Sequence, residues 1–305
     1  MKTIKLIIEQ DPEENRIDSY LAKETNFSRT QIQKYIENGN VLVNNEKVKK
    51  KYELQSNDEI VLQYEEKEEV NDIVPKKMDL DIVFEDEDII VINKQKGLVV
   101  HPGAGNYDNT LVNGILYHTK QLSDVNGYIR PGIVHRIDKD TSGLLVVCKN
   151  NNSHNIIAKQ LQDKTSYRKY ICVVEGTITN DEGIIDAPIG RDSHNRQKMC
   201  VTDKNSKEAI TNFKVIERFS NYSLIECELK TGRTHQIRVH MSYIKHPVVN
   251  DSKYNSKVID NTGQFLHAYY LSFVHPSTNK RVEYVADVPE YIQKFVKENG
   301  GTYFK

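Results

Sequence analysis

The stretch that decides the fold is GIVHRIDKDTSGLLVV, residues 132–147. It crowds ionisable side chains into six positions between two apolar segments: His135, Arg136, Asp138, Lys139 and Asp140. The run that follows, from Gly143 to Val147, is typical of a buried strand. A charged turn on the surface is the simplest explanation of this cluster. The rest of the sequence decides whether a functional loop explains it better.

The composition is that of an ordinary globular protein. The chain has 305 residues, of which 38% are hydrophobic and 28% charged, so it is too apolar for overall disorder. No apolar run approaches the roughly 20 residues that span a bilayer, and the start MKTIKLIIEQ predicts a first strand rather than a signal peptide. The four cysteines lie more than 20 residues apart, without zinc-site spacing or a compact disulfide framework. These features predict a reduced, cytoplasmic protein with no membrane partner.

An acidic segment divides the sequence. Residues 65–88 contain 11 acidic residues and three lysines, whereas the whole chain has a formal net charge of −1, so the remaining residues carry +7. The first part of this segment, residues 65–78, contains Pro75 and shows no apolar periodicity. We therefore predict a small domain over residues 1–64, an acidic linker over 65–78 and a large domain over 79–305. The mildly basic remainder is compatible with an RNA partner.

After the first strand, two short helices and three further strands are predicted for the small domain. RIDSYLAKETN, residues 16–26, spaces its apolar side chains along one helical face. The second helix lies in FSRTQIQKYIENG, residues 27–39, with Ser28 as N-cap and Gly39 just past its end. NVLVNNEKVKKK, residues 40–51, then predicts a strand, an Asn-Asn turn and a lysine-rich strand, and DEIVLQY predicts a further strand.

The small domain resembles the alpha-L RNA-binding motif, which occurs in a small-subunit ribosomal protein and in many RNA-modifying enzymes. The resemblance rests on the two short helices, on Ser28-Arg29 at the start of the second, and on GNVLVN at residues 39–44. In that family the second helix and the following turn present basic groups to an RNA backbone. The resemblance therefore implies six candidate RNA contacts: Arg29, Lys34, Lys47, Lys49, Lys50 and Lys51. The alternative is that these lysines only protect an exposed strand edge.

The large domain alternates short β-branched strands with loops and a few helices. Strands are predicted in SYRKYICVVEG and NYSLIECELKTG, while DIIVINKQKGLVVHP is predicted to form a strand, a turn and a second strand. Helices are predicted in DNTLVNGILYH and PEYIQKFVKEN. This mixture predicts an α+β fold, in which helices flank a mixed, mostly antiparallel β-sheet.

Four segments of the large domain together resemble the RluA family of pseudouridine synthases, and most of all its members that modify large-subunit ribosomal RNA. The segments are INKQKGLVVHPG, HRIDKDTSG, RKYICVVEG and LKTGRTHQIRVHMSYIKHP, at residues 92–103, 135–143, 168–176 and 229–247. The resemblance covers residues 80 to about 295 in the family's order. It implies isomerisation of uridine, in which the bond from the sugar to the ring nitrogen breaks, the uracil turns, and a carbon–carbon bond to the sugar forms.

Asp138 is the candidate catalytic carboxylate. Breaking a glycosidic bond builds positive charge on the sugar, and a carboxylate can stabilise that charge or attack the anomeric carbon. Because Asp140 lies nearby, a glycosidase-like pair of acid and nucleophile is a remote alternative. The uracil anion leaves more readily than an alkoxide, so no strong general acid is needed, and we expect Asp140 to serve the turn. The family resemblance assigns catalysis to Asp138; on its own, a carboxylate that caps the turn would be the simpler interpretation.

A carboxylate that must stay ionised needs a cation, and Arg238 is the candidate. If Thr234 caps a helix, Ile237 begins a core-facing stripe with i, i+4 and i+7 spacing, and Arg238 lies beside that stripe. Arg238 can then be partly buried, and a buried arginine needs an anion. Contact with Asp138 would lower the pKa of that carboxyl group and fix its rotamer.

Three further residues are candidates for contacts with the substrate. Arg233 shares a motif with Arg238 and is expected to meet phosphate, with a surface ion pair as the alternative. Tyr170 alternates with Ile171 in a strand, where a core aromatic is the default. The resemblance implies instead that Tyr170 packs on the target base and offsets part of the cost of unstacking it. Arg136 is expected to fill the gap that the base leaves in the RNA.

The resemblance also implies a floor for the cleft. This floor would consist of the residues that match the family's opening segment: Lys94, Gly97, His101 and Pro102. His235 and His240 could suggest a metal site, but no pattern of acidic ligands accompanies them, and the family uses no metal. We therefore expect neither a metal nor a cofactor.

The sequence thus predicts a two-domain, cofactor-free RNA pseudouridine synthase with Asp138, Tyr170 and Arg238 as its catalytic set. We expect a monomer whose partner is large-subunit (23S) ribosomal RNA or a pre-ribosomal particle. A synthase of the same family that acts on transfer RNA is the alternative within this class. A non-catalytic ribosome-assembly factor that keeps the fold as an RNA clamp is the alternative from another class, although a clamp would not need all three residues. A glycoside hydrolase is the remote third possibility.

Overall fold

The structure, a computed structural model, describes residues 2–10, 12, 14–25, 27, 29–64, 73–103, 105–127 and 129–304. The chain folds into two compact units, Met1–Asp72 and Ile73–Lys305. Each unit encloses a hydrophobic core of its own. Within the described ranges, no helix combines the length and the apolar character needed to cross a membrane.

The N-terminal unit packs two helices on a four-stranded antiparallel sheet. Its elements are β1 (Lys2–Ile7), α1 (Ile17–Glu24), α2 (Arg29–Glu37), β2 (Val41–Val43), β3 (Glu46–Lys47) and β4 (Glu59–Tyr64). The strand order is β1-β4-β2-β3. The helices and the central strands bury aliphatic side chains completely, among them Ile17, Leu21, Ile32, Val41 and Leu62. Both predicted helices and the predicted first strand are confirmed.

The two predicted ends of α2 have different outcomes. Gly39 has a φ of 76° directly after the helix, and its N–H donates to Ile36 O at 3.0 Å. This left-handed residue closes the last turn of the helix, as the sequence predicts. Ser28, the predicted N-cap, lies outside the described residues.

The predicted Asn-Asn turn is present, but the strand after it is short. Asn44 and Asn45 have φ values of 51° and 67°, the left-handed pair that a two-residue hairpin turn requires. β3 ends at Lys47 because the chain turns again, with the N–H of Tyr52 donating to Lys49 O at 2.8 Å. The lysine-rich strand is therefore shorter than predicted, and most of its lysines lie in the turn that follows.

A buried carboxylate joins the two helices. Asp18 is fully buried and accepts hydrogen bonds from Arg16 at 3.0 Å, Arg29 at 3.0 Å and Gln33 at 2.7 Å. Burial raises the pKa of Asp18, but these donors, Arg29 foremost, outweigh burial and lower the pKa to about 2. Arg29, a predicted RNA contact, therefore has its guanidinium engaged in packing α2 against α1.

The C-terminal unit is built on a nine-stranded sheet. Its strands are β5 (Ile82–Glu85), β6 (Ile89–Lys94), β7 (Ser142–Cys148), β8 (Tyr167–Glu175), β9 (Glu182–Asp186), β10 (Ile189–Arg191), β11 (Met199–Val201), β12 (Ile210–Phe219), β13 (Tyr222–Leu229), β14 (Leu266–Val274) and β15 (Arg281–Val285). Its helices are α3 (Leu111–His118), α4 (Asn151–Gln162), α5 (Gln236–Tyr243) and α6 (Glu290–Glu298). The sheet order is β5-β6-β7-β14-β8-β13-β12-β9, with β15 on β14 and with β10 and β11 paired separately.

One parallel pair lies at the centre of this sheet. β7 and β14 run parallel, whereas the neighbouring pairs along the sheet run antiparallel. The predicted α+β fold with a mixed, mostly antiparallel sheet is therefore confirmed.

Helices cover both faces of the large sheet. One face, which includes Ile90 and Leu145, packs with residues of α3 and α5. The opposite face of the same strands, which includes Ile89 and Leu144, packs with α4. β7 is buried along its whole length. The motif HRIDKDTSG thus leads directly into the middle of the core, and this anchors the loop in front of β7.

The second strand predicted in DIIVINKQKGLVVHP was wrong. Residues 98–100 do not extend the sheet. Instead, Leu111 N donates to Val99 O at 2.8 Å and Val112 N donates to Val100 O at 3.0 Å. The first N–H groups of a helix have no partners within that helix, so this segment caps α3. Its apolar pattern correctly indicates burial, but its backbone partner is a helix end.

We expect Asp18→Asn to destabilise the N-terminal unit by about 1–3 kcal/mol at neutral pH, because Arg29 loses a buried anionic partner. The folded-state pKa is below the ordinary value of 3.8, so the stabilisation is complete above that value and is lost as the pH falls through about 2. Denaturant unfolding across an acid titration measures both effects. Wild type and variant should converge at the acid end, and a constant gap would contradict the assignment.

The matched control is Glu37→Gln. Glu37 forms an exposed ion pair with Lys50 at 3.1 Å, and exposed pairs contribute only about 0–1 kcal/mol. The control should therefore differ little from wild type at any pH of that titration.

Candidate active site

The segment INKQKGLVVHPG, residues 92–103, holds the loop that carries Asp138. Lys94, the last residue of β6, is 1% exposed, and its Nζ donates to three backbone carbonyls, one of them Lys139 O at 3.0 Å. Gly97 N donates to the same Lys139 oxygen at 3.0 Å. Burial lowers the pKa of Lys94 to about 7, although nearby carboxylates raise it. Two donors thus fix the peptide group between Lys139 and Asp140, one residue after Asp138.

The far end of this loop is fixed by the close approach of β7 and β14. Gly143 has a φ of 115° and pairs with Ala268, and a Cβ at Gly143 would lie 2.2 Å from the Ala268 carbonyl oxygen. Only glycine fits at such a contact. Next to it, Gln264 Nε2 donates to Thr141 Oγ1 at 2.9 Å. Asp138 therefore lies on a loop that is held at both ends.

Arg238 lies between two carboxylates. It is 4% exposed, and its Nη1 donates to Asp138 Oδ2 at 2.8 Å. Its Nε and Nη2 donate to the two oxygens of Asp251 at 2.6 and 2.8 Å. Asp251 is fully buried and is held by the N–H groups of Lys253 and Tyr254. The predicted contact between Arg238 and Asp138 is present, and Asp251 supplies a bidentate anchor that the sequence analysis did not include.

Helix α5 begins differently from the prediction. His235 precedes the first helical residue with a φ of 57° and a ψ of 21°. A cap at Thr234 would require His235 to be the first helical residue, with a negative φ. The N-cap assignment of Thr234 was therefore wrong. The left-handed turn brings His235 Nδ1 to 2.7 Å from the hydroxyl of Tyr254. Ile237 and Met241 are buried on the core-facing side, as predicted.

The carboxyl group of Asp138 stays ionised. Burial raises its pKa, but the charges of His235 and Arg238 outweigh burial and hold the pKa below the ordinary 3.8. Burial lowers the pKa of His235 itself to about 4, so Arg238 is the charged partner at neutral pH. Among the described residues, Oδ2 of Asp138 accepts a hydrogen bond and Oδ1 accepts none. One carboxylate oxygen is thus left for a ligand.

Tyr170 lines the same pocket as Asp138 and Arg238. It is 5% exposed on β8, and burial raises its pKa, so its hydroxyl is neutral. The pocket has a volume of about 70 Å³ and shares Asp138 with a groove of about 390 Å³ that His101 and Pro102 also line. Three segments that are far apart in the sequence thus place the predicted catalytic set in one pocket. We call it the Asp138 pocket.

A positively charged groove of about 510 Å³ adjoins the Asp138 pocket. One carboxylate, Glu208, lines this basic groove together with six basic side chains: Arg130, Arg136, Lys164, Arg168, Lys230 and Arg233. Arg136 is exposed and has its Nη1 3.5 Å from His101 Nε2. Arg233 Nε donates to the backbone oxygen of Glu208 at 2.8 Å. Both predicted RNA contacts of the large domain therefore lie where the groove meets the pocket.

The six candidate RNA contacts of the N-terminal unit fall into two groups. A groove of about 580 Å³ beside the end of α2 is lined by Lys47, Lys49, Lys50 and Lys51. The other two lie on α2, where Lys34 is exposed and Arg29 is paired with Asp18. The five lysines are not tied to Asp18, whereas Arg29 is about half exposed but has its guanidinium paired with that carboxylate.

Two residues of the site, Asp251 and Arg168, are not among the candidates predicted from the sequence. Asp251 stands in VVNDSKY, which contains no catalytic motif, and its only signal is that a buried Arg238 needs a rigid anion. Arg168 precedes Tyr170 by two positions in β8, and that spacing places both side chains on one face of the strand. The alternation of the strand could therefore have identified Arg168 as a neighbour of the pocket.

One group among the described residues has the spacing of metal ligands: Asp86, Asp88 and His275. Asp86 Oδ2 lies 2.8 Å from His275 Nε2. Asp88 Oδ1 accepts hydrogen bonds from Ser153 Oγ at 2.6 Å and from Asn150 Nδ2 at 3.0 Å. The carboxylates of Asp86 and Asp88 thus accept hydrogen bonds from neighbouring side chains, and the group forms part of a hydrogen-bonded network.

Comparisons with known proteins agree with this architecture. The family model described as RNA pseudouridylate synthase matches residues 88–243, and the model described as S4 domain matches residues 15–60. A protein of Bacillus subtilis (strain 168), named uncharacterized RNA pseudouridine synthase YlyB, is 48% identical over 299 residues, covering 97% of this chain and 98% of that protein. The ribosomal large subunit pseudouridine synthase D of Neisseria meningitidis serogroup B is 43% identical over 290 residues, covering 91% and 76%.

A solved structure shows the same fold. The human protein RNA pseudouridylate synthase domain containing 1 superposes with a TM-score of 0.56 at 24% identity, covering 73% of this chain and 96% of that one. The family matches confirm the resemblance that the sequence motifs indicate. With the sheet, the loop in front of β7 and both domain matches in agreement, this chain belongs to the RNA pseudouridylate synthase family.

Proposed function

We propose that this enzyme isomerises specific uridines of large-subunit (23S) ribosomal RNA and that Asp138 is the residue that acts on the nucleotide. The observation that carries the proposal is the contact of 2.8 Å between Asp138 Oδ2 and Arg238 Nη1, in a pocket that Tyr170 also lines. The choice of RNA is supported by the Neisseria relative, which is named for the large ribosomal subunit.

An ionised carboxylate suits this reaction. The bond between C1′ of the ribose and N1 of uracil breaks, the base turns, and C1′ is joined to C5. C5 then loses its proton and N1 takes up a proton, so the product is an isomer of the substrate. The carboxylate of Asp138 can attack the sugar or the uracil ring, and both routes require that it carries no proton. Arg238 keeps Asp138 ionised and fixes its rotamer. Asp251 in turn fixes Arg238, so the charge is in place before the substrate arrives.

Tyr170 and Arg136 fit the entry of a flipped base. A uridine must leave its stack to reach Asp138, and an aromatic face offsets part of the cost of unstacking. Tyr170 is uncharged and lines the pocket beside Asp138. Arg136 is exposed at the junction with the basic groove, where it can enter the space that the base vacates.

We further infer how the rest of the chain contributes. The domain of residues 1–64 adds phosphate contacts, and the linker of residues 65–78 joins it to the catalytic domain of residues 79–305. The end of that linker is tied to α3, where Asn113 Nδ2 donates to Val74 O at 2.9 Å. We propose that the protein acts as a cytoplasmic monomer on ribosomal RNA or on a pre-ribosomal particle during ribosome biogenesis.

The experiment that tests the function is pseudouridine mapping on large-subunit ribosomal RNA and transfer RNA incubated with wild type or Asp138→Asn. We expect sites in ribosomal RNA with wild type only, a rate loss of roughly a thousandfold or more for the variant, and RNA affinity within a few-fold. Sites confined to transfer RNA would favour the transfer-RNA alternative. No sites with wild type would favour the RNA clamp, and equal modification by both proteins would refute the role of Asp138.

Asp140→Asn is the matched control for that experiment. The carboxyl group it removes lies two residues from Asp138 on the same loop, and we expect activity close to wild type. Loss of activity in both variants would instead favour a reaction that uses a pair of carboxylates.

We expect Asp251→Asn to lower kcat by about 10- to 100-fold, because Arg238 then loses the anion that orients it against Asp138. The KM for RNA should stay nearly constant, since Asp251 is fully buried and does not face the substrate. Steady-state kinetics on the mapped RNA measure both quantities. A raised KM with unchanged kcat would contradict the positioning role.

Asp181→Asn is the control for removal of an Asp–Arg pair. Asp181 pairs with Arg218 at 2.7 Å on the protein surface, and neither residue lines the Asp138 pocket. Its kcat and KM should match those of wild type.

We expect the triple change of Lys47, Lys49 and Lys51 to Gln to weaken RNA binding mainly at low salt. For every phosphate that these lysines no longer neutralise, the slope of log K against log salt concentration should fall by about 0.7–0.9. Titrations at several salt concentrations measure that slope. An unchanged slope would show that these lysines only protect the strand edge, which is the alternative that the sequence leaves open.

A further inference from the structure

Arg168 is a deeply buried cation for which the described residues provide no counter-ion. It is 9% exposed, and among the described residues its guanidinium takes part in no hydrogen bond or ion pair, with Nε buried and unpartnered. The other deeply buried cations near the site are satisfied: Lys94 by three carbonyl oxygens and Arg238 by two carboxylates. Arg168 therefore differs from these neighbours in having no counter-ion within the described part of the chain.

The guanidinium nevertheless stays charged. Burial lowers the pKa of Arg168 below its ordinary value, but arginine remains protonated at neutral pH. An unpaired charge inside a protein is destabilising. A fold that keeps one at this position gains an advantage only if a ligand brings the missing anion.

Arg168 forms part of the wall between the Asp138 pocket and the basic groove. It lines both cavities, as do Arg136, Gly232 and Arg233. On β8 it shares a face with Tyr170, two residues further along. Gly232 leaves room for the guanidinium, because a Cβ at Gly232 would lie 2.7 Å from Arg168 Nη1. The side chain is thus accommodated at the point where RNA would pass from the groove into the pocket.

Among the described residues that line the groove, no free carboxylate is available to Arg168. Glu208, the one acidic side chain among its lining residues, pairs with Lys164 at 3.2 Å. Lys230 pairs with Glu228, which lies outside the lining. The surroundings of Arg168 are therefore cationic, and this suits an anionic polymer better than a neutral base.

We propose that Arg168 binds a backbone phosphate of the RNA, at a linkage next to the uridine that enters the Asp138 pocket. This inference rests on the proposed function and adds one contact to it. The planar guanidinium can donate two parallel hydrogen bonds to phosphate oxygens. The phosphate supplies the missing counter-ion, so Arg168 is neutralised only when the substrate strand is in place.

The test compares wild type, Arg168→Met, Arg168→Lys and the control Lys294→Met on an in vitro transcript of large-subunit ribosomal RNA. Lys294 is an exposed cation on α6 and lines neither cavity. We expect Arg168→Met to raise Kd about 10- to 100-fold and to reduce the salt slope by about 0.7–0.9. Its kcat at saturating RNA should stay within a few-fold of wild type. Arg168→Lys should keep the slope, and Lys294→Met should match wild type.

Thermal unfolding without RNA separates binding from folding. Methionine fills the space without a charge, so Arg168→Met should leave Tm unchanged or higher. A large fall in Tm would show that the guanidinium supports the fold and would overturn the proposal. A fall in kcat with unchanged Kd and slope would place Arg168 on the uracil and would overturn it as well.

A hairpin around the mapped uridine locates the phosphate. One neutral methylphosphonate linkage on either side of the uridine removes the charge that Arg168 is proposed to bind. At the correct linkage, wild type and Arg168→Met should bind alike, as a double-mutant cycle requires for a direct contact. Equal discrimination at every linkage tested would refute the phosphate assignment. Modification by wild type is scored on the same RNA, so failure of this inference is distinct from failure of the proposed function.

Discussion

The active site depends on one guanidinium held between two carboxylates. Arg238 binds Asp251 through Nε and Nη2, and this leaves Nη1 for Asp138. Because the Asp251 side is bidentate and fully buried, the direction of the third hydrogen bond is fixed by the fold. Asp138 receives one hydrogen bond from the guanidinium, whereas Asp251 receives two, so the carboxylate nearest the pocket is the less fully satisfied of the pair. The rigid half of the cluster orients the reactive half.

The sequence predicts this site well where a residue belongs to a motif. Asp138, Tyr170 and Arg238 occur in segments whose order and spacing are specific, and the structure places them in one pocket. Asp251 belongs to an irregular loop, and no local pattern shows that a chain reversal after α5 returns it to the guanidinium. Arg168 lies in a strand, and the sequence does not distinguish it from an arginine on the surface of that strand. Its burial in the structure shows that it lacks a counter-ion among the described residues.

The errors in the fold have a common physical cause. Hydrophobic patterns indicate which side chains are buried. They do not indicate which backbone N–H and C=O groups pair with one another. Residues 98–100 are buried as their apolar character predicts, yet their carbonyls cap α3. Likewise, threonine is a residue type that favours the N-cap position, but His235, in a left-handed conformation, and not Thr234, precedes α5. At residues 98–100 the start of α3 takes the hydrogen bonds that a strand would have used. At α5 the helix begins one residue later than the preference of Thr234 for an N-cap position predicts.

The parallel pairing of β7 with β14 has a consequence for the order in which the protein becomes active. Ser142 pairs with His267, so the strand that anchors the catalytic loop waits for a partner that is synthesised 125 residues later. Contacts over such distances close slowly, because the intervening chain must be ordered first. A nascent chain that ends before β14 therefore contains Asp138, Tyr170, Arg238 and Asp251 but lacks the strand that seats their loop. Competence to modify RNA therefore arises only when β14, one of the last two strands of the sheet in chain order, has folded, so incomplete chains leave RNA unmodified.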